Sequence, residues 1–142
     1  MKKKRKSKIS LREKNIKIKT LDGYWSKCIK VRDKKCVYCG NTKIEELEAH
    51  HIRGRRHSEV KFDLKDGIAL CKPYKGCSGH YKAHHEYEMK EWIKDYIGRD
   101  LYDDLDRRSY QTKKWSPLEK RNLLEYFKEY LKEKENENSK TT

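Results

Sequence analysis

Two cysteine pairs, Cys36/Cys39 and Cys71/Cys77, constrain this chain more than any other feature. The run Cys36-Val37-Tyr38-Cys39-Gly40 has the spacing that lets one turn of backbone aim two sulfurs at one ion. The glycine that closes it lets the chain fold back without a Cβ clash. Two such pairs predict one tetrahedral thiolate site holding a structural Zn2+, with Cys36, Cys39, Cys71 and Cys77 as ligands. Five cysteines form no even disulfide set. The odd one, Cys28, falls on the apolar face of a predicted helix, where a buried free thiol is the ordinary expectation.

A staple is needed because the core must be small: 34% of the 142 residues are hydrophobic and 42% are charged. Such a chain is expected to be one domain plus tails, braced by metal and packed by flanking helices. The net charge of +14 favours a polyanionic partner, and nucleic acid is the commonest. Residues 1–8 are nearly all lysine and arginine with no apolar run behind them, so neither a signal peptide nor a membrane span is expected, and the thiols are expected in a reducing, cytoplasmic compartment.

The chain divides by composition into a basic arm (1–19), a folded region (20–131, centred on 36–97) and a mixed-charge tail (132–142) expected to be disordered. Within the arm, Ser10 and Glu13 have capping-box spacing, which predicts a helix start near Leu11, and the clustered cations are expected on phosphates. Leu21, Trp25, Cys28 and Ile29 mark the stripe of a helix ending near Asp33. Residues 47–52 read as a strand, and Gly67-Ile68-Ala69-Leu70-Cys71 as its returning partner. Ser78 is expected to cap one helix running to about Ile97 along Met89, Trp92, Ile93 and Tyr96, with Gly98 as its stop. A short helix is expected over 101–105. Ser116-Pro117-Leu118-Glu119 is a strong helix start, followed by Leu123, Leu124, Phe127 and Leu131 on one stripe.

With zinc fully supplied by cysteines, the histidines are left for a second site. His50 and His51 are adjacent on a strand and point to opposite faces, whereas His80 and His84 share one helix face a turn apart. Arg53, Arg55 and Arg56 follow on a basic loop and are expected to clamp phosphates. His57 is expected to be a plain surface residue, and no tyrosine or tryptophan is assigned to DNA.

On these residues the chain resembles the HNH (ββα-metal) endonucleases: Ala49-His50-His51-Ile52, then Asp66-Gly67-Ile68-Ala69-Leu70-Cys71, then Cys77 with His80 and His84. It is most similar to phage recombination endonucleases of the NinG type, and the likeness extends to the lysine-rich start, the Trp25 helix and the segments from Trp92 and Trp115. The resemblance implies an α+β fold with a small zinc-braced nuclease centre and metal-dependent DNA cleavage that leaves a 5′-phosphate and a 3′-hydroxyl. It further implies a branched substrate, and cutting both strands of a junction would favour a homodimer. It makes His51 the general base and His50 a ligand of a catalytic Mg2+ or Mn2+. The helix ligand would be His80 or His84, or His85 as a third choice. A neutral imidazole suits the base role because it titrates near physiological pH.

Two departures stand out. Asp66 occupies the place of the family's middle asparagine, and an ionised carboxylate accepts hydrogen bonds where an amide also donates. A catalytic supporting role or a structural one is open to it. Five residues rather than two separate Cys71 from Cys77, and Ser78 stands where the family often has its helix ligand. Both departures would suit the rival expectation, a zinc-stapled DNA-binding module without catalysis.

Overall fold

The computed structural model describes residues 16–140, so the expected helix start near Leu11 and most of the basic arm lie outside the described residues. The chain is a small α+β protein with five described helices and one two-stranded antiparallel sheet. In order these are α1 (Ile18–Asp33), β1 (Leu47–His51), β2 (Gly67–Cys71), α2 (Gly79–His85), α3 (Tyr87–Ile97), α4 (Arg99–Ser109) and α5 (Pro117–Lys140), with short 3₁₀ turns at Ile44–Glu46 and Leu64–Asp66. Among the described residues no helix is long and apolar enough to cross a membrane.

Two compact units emerge. One comprises the described part of the first 28 residues together with the chain from Lys114 onward, and the other is Ile29–Lys113. The first buries Leu21, Trp25, Cys28 and Phe127. Cys28 is the buried free thiol expected: its Sγ lies 3.6 Å from the Phe127 carbonyl, and burial pushes the thiol up to about 11. The capping box at α5 forms reciprocally, with Ser116 N–H donating to Glu119 Oε1 and Glu119 N–H donating to Ser116 Oγ, each at 3.1 Å. Of the α5 stripe only Phe127 is fully buried. The tail expected to be disordered is instead helical through Lys140, with an i,i+3 ion pair between Lys134 and Glu137. Lysine and glutamate are good helix formers, so continuing an existing helix costs little even with no apolar face.

The second unit is built on the hairpin. Its register pairs Leu47 with Cys71 and His50 with Ile68. Every residue of β2 is buried, and its outer edge is satisfied from α1 and the first cysteine loop. The Ala69 N–H donates to Asp33 Oδ2 at 2.8 Å, and the Ala69 carbonyl accepts from the Val37 N–H at 3.0 Å. Arg32 donates to the Leu64 and Gly67 carbonyls, each at 2.6 Å. An edge that would otherwise invite foreign strands is thereby closed.

The single helix expected over 78–97 is two helices broken at Glu86, whose backbone is extended (φ −113°, ψ 126°). Ser78 does not cap α2. It adopts a left-handed conformation (φ 53°, ψ 33°), and its Oγ accepts from the Tyr74 N–H at 3.0 Å. The longer cysteine spacing thus ends in a turn of its own. The helix expected over 101–105 extends over all of α4.

Candidate functional site

Four sulfurs, from Cys36, Cys39, Cys71 and Cys77, lie within 4.8 Å of one another. The nearest approaches are 3.6 Å for Cys36 with Cys77 and 3.5 Å for Cys39 with Cys71. A tetrahedron with metal–sulfur bonds of about 2.3 Å spaces its sulfurs about 3.8 Å apart, so the cluster fits zinc without rearrangement. Backbone geometry brings the second pair in. Gly76 has φ +47°, and a Cβ on it would lie 2.5 Å from Cys71 Sγ. At the knuckle, Gly40 takes the positive φ (82°) that its place required. Thiol chemistry is polarised across the cluster. Burial and neighbouring thiols raise Cys77 and Cys71, whereas Cys39, despite some desolvation, is lowered to about 7 by the Asn41 backbone N–H and adjacent thiols. Asn41 Nδ2 also donates to Cys71 Sγ and to Glu46 Oε1, which ties the Cys71 sulfur to the turn before β1.

A second cluster stands on the hairpin and α2. His50, on β1, meets both His80 and His84, with one ligand nitrogen from each inside 4.8 Å. The ring centroids are 5.2, 5.0 and 4.8 Å apart and the rings stand at 78–81° to each other, as three imidazoles do around a common point. Both helix candidates therefore join His50. His85 pairs instead with Tyr81, with ring centroids 4.3 Å apart and the planes tilted by 34°. Close packing at the start of α2 brings the helix in: a Cβ on Gly79 would lie 3.3 Å from Leu70 Cδ2 and 3.2 Å from Cys77 Sγ.

The cluster is electrostatically neutral. Desolvation, reinforced by the neighbouring histidines, lowers His50 to about 3. His80 and His84 are also lowered, first by desolvation, with Arg55 among the cations that add to it. Neutral imidazole is the ligand form. Nδ1 of His50 and of His80 are buried without a hydrogen-bond partner among the described residues, a costly state that a bound ion could relieve. Glu48 Oε2 lies 3.5 Å from His80 Nε2.

His51 is held differently. Its Nε2 lies 3.1 Å from the Lys61 carbonyl oxygen, which can only accept, so Nε2 carries the proton and the basic lone pair belongs to Nδ1. Asp66 is fully buried and reaches across the loop to the Arg53 backbone N–H, at 3.0 Å from Oδ1, while Oδ2 has no hydrogen-bond partner among the described residues. Burial pushes its carboxyl up to about 8.

The loop arginines separate by role. Arg53 spends its guanidinium on α4: Nε on Ser109 Oγ (3.3 Å), Nη1 on Tyr102 Oη (3.1 Å) and Nη2 on Asp106 (3.0 Å). It anchors the loop. Arg55 and Arg56 are exposed and have no carboxylate partner among the described residues. His57, expected at the surface, is half-buried, and its Nδ1 donates to the Ser109 carbonyl at 3.1 Å. Sequence reasoning missed this use of Arg53 and His57 because their partners lie on α4, about fifty residues away.

His50, His51 and His84 open onto one cleft of about 440 Å³, whose walls include Arg56, Tyr87 and Lys90. Comparison with protein-family models, with curated proteins and with solved structures gives no match for the chain.

Proposed function

We propose that this chain is a metal-dependent endonuclease of the HNH type that hydrolyses DNA phosphodiester bonds, with branched DNA in phage recombination as its substrate. The main support is one juxtaposition: three neutral imidazoles converge, and two of them, His50 and His84, open together with the differently held His51 onto a cation-lined cleft of a strongly basic protein. His50, His80 and His84 would hold the ion. Bound there, it would supply charge stabilisation to the reacting phosphate and to the leaving oxygen. Three nitrogen donors suit later first-row ions such as nickel or zinc; magnesium and manganese, which prefer oxygen, would draw their remaining ligands from water and phosphate. His51, its Nε2–H fixed on the Lys61 carbonyl, would take the water proton at Nδ1. Asp66 would act as a supporting residue, holding the Arg53 N–H and with it the loop behind the base. Arg55 and Arg56 would meet phosphates. Four thiols needed for zinc suit a reducing compartment, and we place the protein in the cytoplasm, the host's if it is phage-encoded.

The test is plasmid nicking by zinc-loaded protein titrated with magnesium, manganese or cobalt, with ion binding followed by calorimetry. For His51→Ala the expected loss of cleavage is about 10²-fold or more with manganese affinity nearly intact, because a base acts in the transition state. For His84→Ala affinity itself falls, and excess manganese restores part of the rate. Loss of manganese binding in His51→Ala, or its full activity, would reverse the roles. Tight DNA binding without nicking under any ion would leave a non-catalytic, zinc-stapled DNA-binding module.

A further inference from the structure

Tyr87 opens α3 directly after the break at Glu86, and the residue is 75% exposed. Single exposed tyrosines are ordinary on protein surfaces. Most of the others here have ring partners: Tyr38 meets Trp92 edge-on, Tyr96 stacks on Trp92, and Tyr81 and Tyr126 form tilted pairs with His85 and Phe127. The Tyr87 side chain has no ring or hydrogen-bond partner among the described residues. The side chains of Tyr74 and Tyr110 share that state, but Tyr87 alone of the three lines the cleft.

The cleft wall around it is mainly cationic, with Arg56, Lys90 and Lys94 against Glu91, although exposed Glu86 and Glu88 flank Tyr87 along the chain. Lys90, three residues on and so on the same helix face, is exposed, and neither it nor Arg56 has a carboxylate partner among the described residues. The carboxylate lining the cleft, Glu91, is engaged by Arg99 at 2.8 Å and by Lys94 at 3.1 Å. The charged residues lining the cleft are net cationic, and aromatic Tyr87 forms part of its wall. Cations that track a backbone beside an aromatic platform form the combination that binds single strands, since every base offers a π-face. A base inside a duplex is already stacked and offers none.

We infer that this cleft holds an unpaired nucleotide of the DNA, with its base stacked on Tyr87 and its flanking phosphates on Arg56 and Lys90. The assignment rests on the reading of the cleft as a DNA site and adds that the nucleotide beside the imidazoles is not base-paired.

The experiment measures fluorescence anisotropy of a short labelled thymidine strand and of a blunt duplex of equal length, with zinc-loaded full-length protein and no added second ion. A parallel strand carries 2-aminopurine. Tyr87→Ala is expected to weaken single-strand binding by roughly 5- to 150-fold, the range that loss of one stacked base produces, and to abolish quenching of 2-aminopurine. Duplex binding stays unchanged, and Tyr87→Phe keeps both. Lys90→Ala should lower the salt slope for the single strand by about 0.7. Equal weakening on both DNAs, or unchanged single-strand binding in Tyr87→Ala, would overturn the assignment. The two proposals separate cleanly. Selective loss in Tyr87→Ala by a protein that nicks DNA under no ion keeps the stacking and removes the nuclease, whereas nicking together with indifferent binding in Tyr87→Ala does the reverse.

Discussion

Replacing Asp66 with asparagine tests whether burial governs this residue. The carboxyl is fully buried, its Oδ1 accepts the Arg53 N–H at 3.0 Å, and Oδ2 meets no hydrogen-bond partner among the described residues. Desolvation, assisted by the nearby Asp63, lifts its pKa to about 8, against about 3.9 in an unfolded chain. Between those values the native state holds a proton that the unfolded state has released. Stability contributed by this group is therefore full below about pH 4 and is lost as pH rises towards 8, with a slope of at most about 1.4 kcal/mol per pH unit. Across the window the loss is on the order of 5 kcal/mol. Asparagine keeps an oxygen for the Arg53 N–H and cannot ionise. The assay is urea denaturation of both proteins, zinc-loaded, from pH 4 to pH 9. The stability of Asp66→Asn minus that of the wild type should climb with pH and flatten above about 8. Contributions common to both proteins, including zinc affinity, cancel in that difference. A difference that is flat, or that falls with pH, would refute the reasoning. Because the amide can still hold the loop, the DNA cleavage proposed above should survive the substitution at neutral pH.

Two further outcomes are expected. Gly76→Ala places a Cβ 2.5 Å from Cys71 Sγ at a positive φ, so zinc affinity and melting temperature should both fall, read by zinc release to a chromogenic chelator. Unaltered affinity would mean that the turn leading to Cys77 is not what shapes the cluster. Arg53→Gln removes an ion pair and its accompanying hydrogen bonds to α4 and should cost about 1–3 kcal/mol in denaturation, while the salt slope of duplex binding stays the same. A reduced slope would return Arg53 to the phosphate-binding residues.

Signals carried by a few neighbouring residues were legible in the chain itself. The Cys-x-x-Cys knuckle, the two strands, the Ser116 capping box and the end of α1 at Asp33 all follow from local backbone requirements, and each stands where the sequence puts it. His50 with His80 and His84 was legible as a set of candidates, because strand alternation and helical spacing fix which side chains share a face. Tertiary structure decided the rest. That both helix histidines reach His50 depends on how closely α2 approaches β2 at Gly79, a distance no spacing encodes. The assignment of Arg53 and His57 to α4, with Arg55 and Arg56 left exposed, depends on which segment the loop packs against. The raised carboxyl of Asp66 comes from desolvation on burial in the folded chain. Hydrogen-bond periodicity and turn chemistry act over a few residues and are written in order along the chain. Burial and long-range pairing arise only when distant segments exclude water together, and so they belong to the folded protein.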